Sequence, residues 1–158
     1  GSADAGEIQP GRLMRRAKRS ALVPYTAAQM FKLVDEAEHY PDFLPWCTQA
    51  SVLSHKHDEV RASVSFSVGG MSRSFATRNY LQVNKMIEMQ LVEGPFSSLH
   101  GCWQFDSLGD AGCKISLHLE YDFSSRMLGM VVGPVFNQIS NTMVDSFQQR
   151  AVEVYGER

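Results

Sequence analysis

Between Cys113 and Phe123 the chain alternates without a break. Ile115, Leu117, Leu119, Tyr121 and Phe123 share one parity; Lys114, Ser116, His118, Glu120 and Asp122 share the other. A period of two sustained over that length is a strand with one face in a core and one in water. It excludes an all-helical fold and demands an apolar cover for the inner face. The same period recurs upstream, where Val60, Ala62, Val64, Phe66 and Val68 alternate with Arg61, Ser63, Ser65 and Ser67. Gly69-Gly70 then supplies the two residues of a tight hairpin turn, and the return strand puts Phe75, Thr77, Asn79 and Leu81 on one face. Pairing Val68 with Met71 sets Val64 opposite Phe75, which keeps both apolar sets on one side. Further segments carry Ile87, Met89 and Leu91 and, after Glu93-Gly94-Pro95-Phe96, Leu99, Gly101, Trp103 and Phe105. Pairing Ser107 with Cys113 matches Asp106 to Lys114 outside and Trp103 to Leu117 inside. The expected sheet is antiparallel and one-faced.

The cover comes from the C-terminus. Ser124 or Ser125 suits a helix N-cap, and Val135, Ile139, Met143, Phe147, Ala151 and Val154 form an apolar stripe at spacings of three and four. Gly129, Gly133 and Pro134 are poor helix-interior residues, so the long helix either begins at Pro134 or is kinked there. At the other end, Arg16 to Val23 reads as a strand stopped by Pro24. Thr26-Ala-Ala-Gln29 is a capping box opening a helix over about Ala27 to Ala37, with Met30, Phe31, Leu33 and Val34 at helical spacing. Pro41 and Pro45 leave room for one short turn. The expected order is strand, helix with short turn, five or six strands, long helix.

The 158 residues suit one domain of roughly 100–200. Gly1 to Leu13 shows no period and reads as a flexible leader or a cloning scar, leaving 14–158 as a single domain. The longest apolar stretch, Met127 to Phe136, is ten residues, against about 20 for a membrane-spanning helix. Cys47, Cys102 and Cys113 form no CxxC pair and are expected as free thiols in a reducing, cytoplasmic setting. The net charge is −2, yet Arg12, Arg15, Arg16, Lys18 and Arg19 crowd five positive charges into eight residues. An acidic body with a basic start argues against whole-surface nucleic-acid binding. It leaves either a local contact with phosphate or anionic lipid, or a solvated run.

The local sequence resembles the family that holds the mitochondrial coenzyme Q-binding proteins and the bacterial ribosome association toxins, within the START-like, polyketide cyclase/dehydrase-type superfamily. The resemblance spans nearly all of Arg15 to Gly156. It is carried by Tyr40-Pro41-Asp42-Phe43-Leu44-Pro45-Trp46-Cys47, Thr77-Arg78-Asn79, and Leu91-Val92-Glu93-Gly94-Pro95-Phe96 with Leu99, Gly101, Trp103 and Phe105. Met143-Val144, Phe147, Arg150-Ala151 and Val154-Tyr155-Gly156 complete it. It implies an α+β helix-grip fold, a curved antiparallel sheet wrapped around a long C-terminal helix. No mitochondrial transit segment is visible, which favours a bacterial member.

It also implies two functions. In the first, the protein supports respiration as a non-catalytic carrier of ubiquinone or a similar lipid, cytoplasmic or peripheral at the inner membrane. The hydrophobic ligand would lie in a cavity drawn from Phe43, Trp46, Phe66, Phe75, Thr77, Asn79, Met89, Leu91, Phe96, Trp103, Tyr121, Phe136, Met143 and Phe147. Methionines and flat aromatics suit a prenyl chain or quinone ring, and equally a filled core. In the second, as an alternative, it binds the large (50S) ribosomal subunit and blocks subunit association, inhibiting translation initiation. The candidate contacts with an anionic partner are Arg15, Arg16, Lys18, Arg19, Arg61 and Arg78.

Three local questions stay open at this level. Thr77 and Asn79 are polar on the apolar face, where unpaired burial costs roughly 1–3 kcal/mol, so each needs a ligand carbonyl or a backbone partner. Phe96 is either an exposed loop aromatic that gates a ligand at the cavity mouth or touches a partner, or a buried hinge. Arg61 and Arg78 face each other, which calls for an anionic partner, a register slip or nearby carboxylates. Catalytic signals are poor: His100, His118, Glu120 and Asp122 lie on the outer parity, and His55 and His57 beside Asp58 read as a solvated turn before a metal site. The expectation is a binding protein with no catalytic residues, metal or required cofactor.

Overall fold

The alternating segments become one sheet because each has a single apolar face that only its neighbours and the C-terminal helix can cover. In a computed structural model, residues 14–68 and 70–158 are described; the leader and Gly69 lie outside them. The strands are β1 (Arg15–Val23), β2 (Cys47–Lys56), β3 (Glu59–Val68), β4 (Met71–Gln82), β5 (Met86–Glu93), β6 (Phe96–Ser107) and β7 (Cys113–Phe123). Helix α1 (Ala27–Asp35), a 3-10 turn (Ala37–His39) and α2 (Tyr40–Phe43) separate β1 from β2, and α3 (Arg126–Tyr155) closes the chain. The sheet runs β1-β7-β6-β5-β4-β3-β2, with every neighbour antiparallel. This is the expected helix-grip order.

Both registers read from the sequence hold: Val64 faces Phe75, Trp103 faces Leu117 and Asp106 faces Lys114. The capping box is present as well. Gln29 N donates to Thr26 Oγ1 at 3.0 Å, and Thr26 N donates to Gln29 Oε1 at 2.9 Å. α1 ends at Asp35, short of Ala37, because the chain tightens into the 3-10 turn.

Of the two starts open for the long helix, the structure excludes the one at Pro134. It begins at Arg126, and Ser125, one of the two expected caps, accepts through Oγ from Leu128 N at 3.1 Å. Pro134 is carried inside the helix because its ring is exposed. Met130, whose carbonyl loses its donor, is also exposed (74%), so water can take that bond. The buried face is Gly129, Val132, Gly133, Phe136, Ile139, Ser140, Val144, Phe147 and Ala151. Val135 and Met143 are only half-buried and Val154 is exposed. Repeated steps of four drift around a helix of 3.6 residues per turn, which turns Val135, at the start of the stripe, toward the edge of the core face.

Gly133 lets an arginine lie close against the helix. The Arg15 side chain of β1 lies against α3, with Nη2 donating to the Gly129 carbonyl at 3.4 Å and its guanidinium 5.6 Å from the Phe123 ring centroid. A Cβ on Gly133 would fall 2.9 Å from that nitrogen.

All three cysteines are free, and Cys47 and Cys113 are buried. Burial pushes the Cys113 thiol from 9.0 up to about 11. Between those values the unfolded chain gives up a proton that the folded chain keeps, so stability falls as pH rises through that window. Burial pushes the Tyr40 phenol in the same direction. Urea midpoints measured from pH 9 to about 11 should therefore decline, and less steeply in Cys113→Ala; parallel slopes would refute the assignment. Among the described residues, no helix is long and apolar enough to cross a membrane.

Candidate functional site

Where the inner sheet face meets α3, side chains leave a cavity of about 90 Å³. Of the residues expected around a ligand, Trp46, Phe75, Thr77, Asn79, Met89, Trp103, Phe136, Met143 and Phe147 line it. Five expected residues lie elsewhere. Phe43 packs on the far side of Phe147, ring centroids 5.1 Å apart, beneath the Arg150 guanidinium at 5.0 Å. Phe66, Phe96 and Tyr121 gather around Phe136 at centroid distances of 6.0, 5.1 and 4.8 Å, and Leu91 packs against that aromatic cluster. Phe96 is buried and stacked on Phe123, which matches the buried alternative and not an exposed gate.

The walls also contain Ala37, Tyr40, Ala62, Val64, Leu99, Leu117 and Leu119, which the sequence reading had not singled out. Ala62, Val64, Leu99, Leu117 and Leu119 have the inward parity, so that signal was present. Parity says which face a residue takes, but not at which level along the sheet a void opens. Gly101 belongs to the same wall. A Cβ there would sit 2.7 Å from Met89 Cε and 2.9 Å from Leu119 Cδ1, so the bare backbone lets those two chains fill the space.

The polar groups of the walls are largely satisfied within the protein. Thr77 Oγ1 donates to Asn79 Oδ1 at 2.9 Å. That side-chain pairing is neither of the two expected solutions. It arises because residues two apart on a strand share a face. The Tyr40 hydroxyl donates to the Val34 carbonyl, and burial keeps its phenol protonated well above the ordinary range. Among the described residues lining the cavity there is no carboxylate, imidazole or amine, so the walls offer no acid–base pair.

The basic residues scatter. Arg15 turns inward to α3, and Arg16 Nε pairs with Glu120 Oε2 at 3.1 Å. Arg61 and Arg78 do face each other, and Glu59 relieves the repulsion, its Oε1 lying 3.4 Å from Arg78 Nε. Lys18 and Arg19 are exposed on β1. His55 and His57 are exposed near the β2–β3 turn, and no third ligating group joins them among the described residues.

Comparison with known proteins adds four findings. Residues 23–148 match the family described as polyketide cyclase / dehydrase and lipid transport. The chain is similar to the ribosome association toxin RatA of Pseudomonas aeruginosa, 46% identical over 139 residues, covering 88% of this chain and 96% of the relative. It is more distantly similar to the mitochondrial coenzyme Q-binding protein of Dictyostelium discoideum, 25% identical over 162 residues, 99% of this chain and 79% of that one. Among solved structures, the Zhui aromatase/cyclase from a Streptomyces species superposes with a TM-score of 0.73, covering 92% of this chain and 100% of that one. At 16% identity it speaks for the fold alone.

Proposed function

Since the chain belongs to the polyketide cyclase / dehydrase and lipid transport family, in the group that includes the ribosome association toxins, we propose that it acts on the ribosome. On this reading it binds the large subunit without catalysis, keeps the small subunit from joining, and so inhibits initiation of translation in the bacterial cytoplasm.

One observation carries the choice over quinone transport. Pockets for small molecules typically enclose about 300–1,000 Å³, and the cavity here encloses about 90 Å³. A quinone ring with its prenyl chain would have to displace wall residues to enter, and this supports the exterior as the working surface. The identity to the toxin is also much higher than to the quinone-binding relative. Adding the purified protein to intact ribosomes before sucrose-gradient sedimentation should shift particles toward free subunits. An unchanged profile at saturating protein would refute the proposal.

Carriage of an apolar ligand stands as a second reading on a separate observation. The Thr77–Asn79 pair is a polar spot in an otherwise apolar wall, the arrangement that orients a carbonyl-bearing guest. Native mass spectrometry of protein extracted without detergent should then reveal a bound lipid that Asn79→Leu loses. A bare protein mass in both would remove this reading.

A further inference from the structure

The concave side of the sheet is occupied by α3 and the core; the convex side of β1, β7 and β6 carries a hollow of about 600 Å³. Strand register lays out its floor in three rows. Lys18 lies beside His118 and Cys102, Ser20 beside Ser116 and Gln104, and Lys114 beside Asp106. We propose that this hollow grips the phosphodiester backbone of ribosomal RNA, a proposal that rests on the ribosomal reading above.

The structure sorts the cations that the sequence left together. Arg15 is committed to the Gly129 carbonyl, Arg16 to Glu120 and Arg78 to Glu59. Among the described residues, no ion pair holds Lys18, Arg19 or Lys114, and all three border the hollow. Lys114 comes from β7, a hundred residues from the basic start in sequence, so only strand pairing joins them. Among the described residues Asp106 is the one carboxylate in the lining, set against those three cations. On a chain of net charge −2, such a site is a local attractor for phosphate on a body that otherwise repels RNA.

The neutral groups agree. Ser116, Gln104 and His118 supply hydrogen-bond donors beside the cations, the mixture that positions a phosphate–sugar backbone. Among the described residues no Phe, Tyr or Trp lines the hollow, so these offer no stacking platform on which unpaired bases are read. A groove of cations and small donors therefore fits the backbone of a paired RNA segment, recognised by shape and charge and not by base sequence.

The test compares two double charge reversals that change net charge equally. Lys18→Glu with Lys114→Glu strikes the hollow; Lys56→Glu with Arg73→Glu strikes exposed positions toward the opposite edge. Binding to purified large subunits is followed across salt concentrations, alongside binding to a protein-free RNA duplex and to phosphatidylglycerol vesicles. The hollow variant should bind subunits about tenfold more weakly or worse, with the log–log salt slope reduced by about 2, and should lose the duplex. The edge variant should match the parent. Equal weakening by both variants, or none by the hollow variant, would overturn the proposal while leaving the ribosomal reading intact. A parent that ignores subunits but binds the duplex through Lys18 and Lys114 would sink the ribosomal reading and support the RNA-binding hollow. A parent that binds neither RNA, or whose hollow variant loses only the vesicles, would overturn the hollow as an RNA site.

Discussion

Phe147→Ala is expected to lower folding stability by about 3–5 kcal/mol. The ring is 1% exposed and meets three others edge-on, at centroid distances of 5.6 Å to Tyr40, 5.1 Å to Phe43 and 5.2 Å to Trp103. These partners come from α2 and its entry, from β6 and, through Phe147 itself, from α3, so one side chain ties the helix to both walls of the grip. Its neighbours are anchored on separate elements and cannot all move inward to fill the gap. Urea unfolding should show a lower midpoint with an unchanged slope. A cost below about 1 kcal/mol would mean that the site collapses freely, against the rigidity of packed interiors.

The same variant probes the cavity. Phe147 lines it, so the void left by the ring joins the existing space of about 90 Å³. Engineered apolar cavities of about 150 Å³ stay dry and admit benzene, so benzene should recover part of the lost stability in Phe147→Ala and do little for the parent. Ribosome binding, measured at a temperature where the variant remains folded, should be unaffected if function lies on the exterior. Loss of binding by fully folded Phe147→Ala would return the interior to the centre of the mechanism.

Gly112→Ala should be comparably damaging for a different reason. Gly112 has φ +118°, a conformation that disfavours any Cβ, and a Cβ there would stand 2.0 Å from the Val23 carbonyl oxygen and 2.9 Å from Pro24 Cα. Those are backbone atoms, and Val23 is held by pairing with Cys113, so neither can yield cheaply. The Gly112 carbonyl also accepts from Leu108 N at 2.9 Å, fixing the loop from the other side. Conformational strain and overlap together should cost about 3 kcal/mol or more. Gly70 is the internal comparison. Its φ is +80° with nothing within 4 Å of the added carbon, so Gly70→Ala should cost only about 1 kcal/mol. Equal costs in chemical denaturation would show that conformation alone, and not the close approach of β1, governs Gly112.

The two glycines also mark how far the amino-acid order could be read. Gly70 stands beside Gly69 between two alternating runs, and that local context identifies a hairpin without any knowledge of the rest. Gly112 stands between β6 and β7, and its constraint comes from Val23, far away in sequence. The Arg15–Arg19 segment divides in the same way. Its charge was plain, but Arg15 turned to the helix carbonyls, Arg16 met Glu120, and Lys18 opened onto Lys114 from β7. For α3, the missing donor of Pro134 left a late start and a kinked helix both open, and the exposure of Pro134 and Met130 removes most of the cost of carrying it inside.

Alternation, capping residues and turn pairs therefore determined the strands, their registers, the first helix and the antiparallel order, because each depends on neighbours within a few residues or on matching one parity to another. The size of the void between sheet and helix, the fate of each arginine and the composition of the outer hollow were decided only in three dimensions. They depend on how volume and charge from distant strands are divided at a shared surface, and no periodicity along the chain records that division.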